Sequence, residues 1–222
     1  MARFTRIDVA LQMRENLIVP VFYHSELEVC KDVLQACYNA GIRVFEFTNR
    51  GDQAHVIFGE LYNFTKKNLP EMMLGVGSIV DGATAALYVQ LGADFIVSPI
   101  LNHDIAKVCN RRKILWAAGC GTLTEINQAE EWGAEIVKLF PGQESGGASF
   151  IKAIAGPCPW TSIMPTGGVE PTEESLKSWL GAGAYCVGMG SKLLDSTLIA
   201  NQDYTTLTNF VQHALSMAKS VR

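Results

Sequence analysis

Eight times along the chain a short run rich in β-branched and aromatic residues is followed by a helix-patterned segment, and this alternation restricts the fold more than any single motif does. The runs are LIVPVF (17–22), RVFEFT (43–48), EMMLGVGS (71–78), ADFIVSP (93–99), KILWAAG (113–119), EIVKLFP (135–141), TSIMPTGG (161–168) and AYCVGMG (184–190). Helical patterning fills the gaps, from Glu26 to Ala40, Gln53 to Asn68, Gly82 to Leu91, His103 to Asn110, Leu123 to Trp132, Ala148 to Ala155, Glu173 to Leu180 and Tyr204 to Val221. A further amphipathic helix, Thr5 to Asn16, precedes the first strand. Asp81 and Thr122 read as N-caps, and Gly41, Gly92 and Gly133 fall just past helix ends.

Eight βα units spaced by roughly 19 to 30 residues predict a (β/α)8 TIM barrel with an extra N-terminal helix, spanning residues 1–222 as one domain. Pro20 lies inside the first strand, where its missing N–H predicts a bulge or irregular pairing. Hydrophobic residues are 48% of the chain and charged residues 18%, ample for a large core and unlike a disordered chain.

The net charge of −4, with no basic cluster beyond Arg111, Arg112 and Lys113, argues against a nucleic-acid partner and for a small molecule. The opening MARFTRIDVALQMREN has no continuous apolar core, so no secretory signal is expected, and no apolar run reaches the roughly 18 residues of a membrane span. A cytoplasmic protein is the expectation. Its six cysteines show no metal-ligand spacing and read as reduced thiols.

Barrel strands bury both faces, so a charge in mid-strand needs a reason. Lys138 lies between Val137 and Leu139, and Glu46 between Phe45 and Phe47. Desolvation disfavours the charged form of an amine or a carboxylate, and an uncharged amine beside a carboxyl group is what Schiff-base chemistry requires. The alternative is a structural ion pair across the barrel. Period-two counting puts Glu46, Thr48 and Arg50 on one side of the second strand, with Arg50 at its carboxyl end, where barrel active sites lie. Its planar fork suits a substrate carboxylate; the alternative is a solvated arginine.

PTGGVEP ends the seventh strand, and VGMGSKLL ends the eighth and looks like the start of a short helix with Ser191 near its N-terminus. Glycine amides plus a helix N-terminus make an anion site, and in barrels these two loops often hold phosphate. Gly146 and Gly147 read as relief for a tight turn. His24 and His103 follow the first and fourth strands and read as polar loop residues.

The segments VPV (19–21), FEFTNR (45–50), GVGS (75–78), VSP (97–99), VKLFPG (137–142), IKAIAGP (151–157) and MPTGG (164–168) resemble, in order and spacing, the 2-keto-3-deoxy-6-phosphogluconate aldolases, a family that includes 4-hydroxy-2-oxoglutarate aldolases. That resemblance covers nearly the whole chain. It implies a class I carbon–carbon lyase that releases pyruvate, needs no metal or organic cofactor, and forms homotrimers. It assigns Lys138 as the Schiff-base lysine and Glu46 as the general acid/base. Arg50, Ser78 and Thr166 would bind substrate, Pro99 and Phe140 would line the pyruvyl pocket, and Gly167, Gly168, Gly190 and Ser191 would hold phosphate.

The chain departs from the family pattern at Ser78, where threonine is usual, at Ile100, at Gly142 and Gln143, at Lys192, and at Ala118, Gly119 and Cys120. None of these is the catalytic pair. Lys192 would add charge near the phosphate. Rival readings are an aldolase for the galactonate epimer or another 2-keto acid, a phosphate-binding barrel isomerase or synthase, and a sugar-phosphate binder without turnover; the joint presence of Lys138, Glu46 and Arg50 argues against the last two.

Overall fold

In the computed structural model, which describes residues 2–222, all eight expected strands form: β1 (Ile18–Phe22), β2 (Val44–Thr48), β3 (Met73–Gly77), β4 (Phe95–Val97), β5 (Leu115–Cys120), β6 (Ile136–Leu139), β7 (Ile163–Pro165) and β8 (Val187–Met189). Each pairs in parallel with its neighbours in chain order, and β1 also pairs with β8. A bridge between Thr166 and Gly188 joins β7 to β8 and closes the ring. The fold is therefore the expected (β/α)8 barrel.

Helices run outside it: α1 (Arg6–Asn16), α2 (Leu27–Asn39), α3 (Ala54–Asn68), α4 (Gly82–Leu91), α5 (His103–Arg112), α6 (Leu123–Glu131), α7 (Gly147–Ile154), α8 (Glu173–Gly181), α9 (Ser196–Ala200) and α10 (Tyr204–Ser220). The side-chain caps of Asp81 and Thr122 form as expected. The main apolar cluster lies between this ring and the strands, where Phe47, Phe58, Leu61, Tyr88, Ile126 and Leu207 pack.

A second cluster fills the lower lumen. Val19, Val44, Met73, Phe95, Leu115, Ile136 and Met164 meet there, and Val9 and Met13 of α1 pack up against them from below. Thr5 caps α1 through a reciprocal capping box with Asp8, and Arg6 ties the helix to the carboxylate of Glu135 and the carbonyl of Gly133. The helix thus stoppers the amino end of the barrel. Its buried stripe is narrower than the expected amphipathic face, because a barrel floor admits few side chains; Ile7 and Leu11 remain 66% and 53% exposed.

Two expectations are corrected. Pro20 introduces no bulge: Ile18, Val19 and Pro20 pair in register with β8, and pairing with β2 begins at Val21, so the two ladders are offset and the missing N–H is accommodated. The loop after β8 also differs. Residues from Ser191 form a turn in which the amides of Leu193 and Leu194 donate to the Gly190 carbonyl, and α9 starts later, capped by Asp195. Ser191 is not at a helix N-terminus, because the Asp195 side chain takes the cap by accepting from Thr197 and Leu198.

Candidate active site

The barrel brings Lys138 and Glu46 together. β2 and β6 lie four strands apart in a ring of eight, so residues facing inward from them meet across the lumen. Lys138 Nζ is 3.6 Å from Glu46 Oε1, and both side chains are buried. Neither Glu46 oxygen has a hydrogen-bond partner among the described residues, so the Lys138 contact is an ion pair at the edge of contact. Burial pushes the Glu46 carboxyl above the usual range, while the charges of Lys138 and then Arg50 pull it back. Lys138 Nζ is also 5.2 Å from the centre of the Phe140 ring, which stands one turn of the pleat further toward the carboxyl end.

Small residues make room for this pair. A β-carbon on Gly77 would overlap the Glu46 carboxylate, and one on Gly119, beside Lys138 in the β5–β6 register, would overlap the Pro99 backbone. Gly188 likewise leaves space for the Thr166 hydroxyl, which is buried without a partner among the described residues. These glycines hollow the upper lumen. They were not singled out in the sequence as site residues, and the available signal was weak: GVG and AAG interrupt runs of larger side chains.

Above the pair a cavity of about 820 Å³ opens at the carboxyl ends of the strands. Arg50, Phe140, Thr166, Gly167, Gly168, Gly190 and Ser191 all line it, as do Tyr23 and His24 from the loop after β1. Gly167 and Gly168 both have left-handed backbones, which glycine adopts without a Cβ penalty, and the Gln143 side chain fills the space a β-carbon on Gly168 would need. Lys138 and Glu46 are not among its lining residues; they reach it through Phe140 and Arg50, and Ser78 and Pro99, which follow β3 and β4, do not line it either. Ser78 adopts a left-handed conformation immediately after Gly77, next to the Glu46 carboxylate.

Other candidates have structural partners. Lys192 reaches the rim, where its Nζ is 3.1 Å from Glu170 Oε1. His24 Nδ1 accepts from the Glu26 amide, and His103 packs on Trp132 with ring centres 4.5 Å apart. Gly146, the N-cap of α7, and Gly147, its first residue, both have positive φ in a tight entry to the helix. All six cysteines are free. Among the described residues no cluster suited to a metal ion occurs, and no helix is long and apolar enough to cross a membrane.

The family model and the curated relatives agree. Residues 9–210 match the family model described as KDPG and KHG aldolase. The KHG/KDPG aldolase of Escherichia coli K12 is 30% identical over 206 residues, covering 91% of this chain and 92% of that protein. The 2-dehydro-3-deoxy-phosphogluconate aldolase of Haemophilus influenzae is 27% identical over 216 residues, covering 97% and 99%. Among solved structures, the Legionella pneumophila KDPG aldolase, with pyruvate captured as a covalent carbinolamine, shares the fold with a TM-score of 0.84 at 24% identity, covering 92% of this chain and 97% of that one.

Proposed function

The chain belongs to the KDPG and KHG aldolase family, and we propose that it is a class I aldolase cleaving 2-dehydro-3-deoxy-6-phosphogluconate to pyruvate and glyceraldehyde 3-phosphate. The observation that carries this reading is the buried amine of Lys138, 3.6 Å from a carboxylate with no hydrogen-bond partner among the described residues and 5.2 Å from the ring of Phe140, which lines the cavity. A structural ion pair would be expected to satisfy its carboxylate with further hydrogen bonds. Glu46 lacks them, which supports a group that binds and moves protons.

In this reading Lys138 Nζ attacks C2 of the keto acid and the carbinolamine loses water to give the imine, whose positive nitrogen is the electron sink. Glu46, acting through a water, takes the proton of the C4 hydroxyl as the C3–C4 bond breaks and the aldehyde leaves. The resulting enamine is reprotonated at C3 and hydrolysed to pyruvate, restoring the amine. A raised carboxyl pKa suits Glu46 to this work, because a base nearer neutrality is also a competent acid on the return step.

Arg50, at the carboxyl end of β2 and close enough to act on Glu46, would hold the pyruvyl carboxylate together with the hydroxyl of Ser78. Phe140 and Pro99 would border the pyruvyl group, and Thr166 would meet a substrate hydroxyl. The amides of Gly167, Gly168 and Gly190 with Ser191 would hold phosphate at the far end of the cavity, by a cradle of backbone amides without a helix terminus. Residues 1–222 would work as one barrel domain. The family resemblance implies a homotrimer, in which exposed apolar side chains such as Val80 and Ile100 would be available for burial, and six free thiols suit a reducing cytoplasm. Sedimentation would test the first point.

Trapping tests the chemistry. Pyruvate with borohydride should inactivate the protein irreversibly and add one reduced pyruvyl group to Lys138, and Lys138→Ala should abolish both labelling and cleavage. Labelling elsewhere, or none at saturating pyruvate, would overturn the reading.

A further inference from the structure

Arg50 stands on a loop just past β2, yet its backbone is gripped from both sides. On one side is Asn49, whose amide donates to the Gly77 carbonyl at 2.9 Å and whose Oδ1 accepts from the Tyr88 hydroxyl at 2.9 Å. Tyr88 comes from α4, is fully buried, and is separated from Asn49 by 39 positions in the chain. On the other side is Gly51. The Tyr23 hydroxyl lies so close that a β-carbon on Gly51 would overlap it.

The two grips are one unit. Tyr88 meets Phe58 edge-on with ring centres 5.1 Å apart, Phe58 packs on Phe47 at 6.1 Å, and Phe47 packs on Tyr23 at 5.6 Å. Four aromatic rings thus run beneath β2 from one flank of Arg50 to the other. Burial pushes the Tyr88 phenol up to about 12, so its hydroxyl keeps its proton and remains a donor at working pH. The Arg50 amide completes the turn by donating to the Thr48 carbonyl at 3.0 Å. A phenylalanine would fill the same space at this buried point, and among the described residues the hydroxyl bonds only Asn49.

We propose that Tyr88, through Asn49, is a positioning residue for Arg50: it fixes the guanidinium where the carboxylate of the keto acid must lie when its C2 faces Lys138. This rests on Arg50 as the carboxylate binder. Loosening the loop weakens capture of the keto acid while leaving Lys138 and Glu46 in place, because those side chains are held by β6 and by the space at Gly77.

The test is a double-mutant cycle read by pyruvate trapping. Tyr88→Phe should raise the pyruvate concentration for half-maximal borohydride labelling of Lys138 by about fivefold, the worth of one buried hydrogen bond, with the maximal labelling rate changed less. In an Arg50→Ala background the same substitution should change half-saturation by less than about twofold, because its effect travels through Arg50. Asn49→Ala should reproduce this pattern and serves if Tyr88→Phe does not fold. An equal effect of Tyr88→Phe with and without Arg50, or no shift in either variant, would overturn the proposal as a merely structural contact. If Arg50→Ala alone leaves half-saturation unchanged, the carboxylate assignment of Arg50 fails, and the positioning role falls with it; Lys138 labelling itself would report separately on the aldolase reading.

Discussion

Gly77 offers a sharp test of how the lumen is built, because one methyl group placed there should act on Glu46 alone. The backbone of Gly77 is ordinary strand, so alanine is conformationally allowed, but its β-carbon would overlap the carboxylate of Glu46. Restoring normal contact requires the carboxylate to move by about 1.5 Å, roughly the difference between overlap and a van der Waals separation. Glu46 now stands 3.6 Å from Lys138, so such a shift takes it out of reach of the group and water it serves. Misplacing a catalytic group by about 1 Å can cost about 10²-fold, equivalent to about 2.7 kcal/mol of activation free energy. Gly77→Ala should therefore lower kcat by at least about 10²-fold in an assay of pyruvate release, while Lys138 is still trapped. In a Glu46→Gln background it should add less than about threefold. Gly181→Ala is the control: Gly181 ends α8 with open space around it, so alanine there should add a fraction of a kcal/mol, up to about 1, and leave kcat alone. A Gly77→Ala enzyme turning over within about threefold of the parent would refute the argument that Glu46 works from this one position.

Glu46→Gln should lower turnover by about 10²–10⁴-fold while leaving Lys138 trappable, and unchanged turnover would return Glu46 to a structural role. Since burial raises the Glu46 pKa and the base must be ionised, kcat/KM should climb with pH through a limb above the ordinary carboxylate range, and that limb should vanish in Glu46→Gln. The same sign governs stability: the folded protein holds this proton more tightly than the unfolded chain, so Glu46's contribution is greatest at acid pH and declines as pH rises through its folded pKa, a decline that denaturant melts of Glu46→Gln should lack. Gly190→Val should obstruct the cavity wall and cut the preference for phosphorylated over unphosphorylated substrate by about tenfold, measured as a ratio of kcat/KM values, with trapping spared. Lys192→Gln leaves the Glu170 charge uncompensated at the rim and should weaken phosphorylated substrates severalfold, an effect that Glu170→Gln in the same chain should reverse and added salt should shrink.

Lys138 and Glu46 were legible because a charge amid apolar neighbours on a doubly buried strand is conspicuous, and counting strands places them opposite each other. Arg50 was legible from its place at a strand end. The space those side chains need was not: Gly77, Gly119 and Gly188 take their meaning from what lies against them on neighbouring strands and strand ends, Glu46, Pro99 and Thr166, and those neighbours are set only when the ring closes. Tyr88 carries no sequence signal of its role, since its hydroxyl partner is 39 positions away. The expected helix start near Ser191 falls four positions later, where Asp195 caps α9.

The seam of the ring remains. Most neighbouring strands are laced by ladders of two to five paired positions. β3 and β4 share one, Val76–Ile96, flanked by bonds from the Asp94 amide to the Leu74 carbonyl and from the Ile79 amide to the Val97 carbonyl. β7 and β8, in contrast, share the single Thr166–Gly188 bridge and, lower down, only the bond from the Tyr185 amide to the Ile163 carbonyl among the described residues. A ring held by so few bonds at one joint should breathe there first, and amide hydrogen exchange should find Gly188 and its neighbours trading protons faster than the middle of β2 or β3. The proposed phosphate cradle straddles this joint, with Gly167 and Gly168 on one side and Gly190 and Ser191 on the other. A phosphorylated ligand would then act as a stitch, drawing exchange at the joint down in proportion to its occupancy and raising the melting temperature by mass action. The weakest joint of the barrel would be mended by the molecule it is about to cleave.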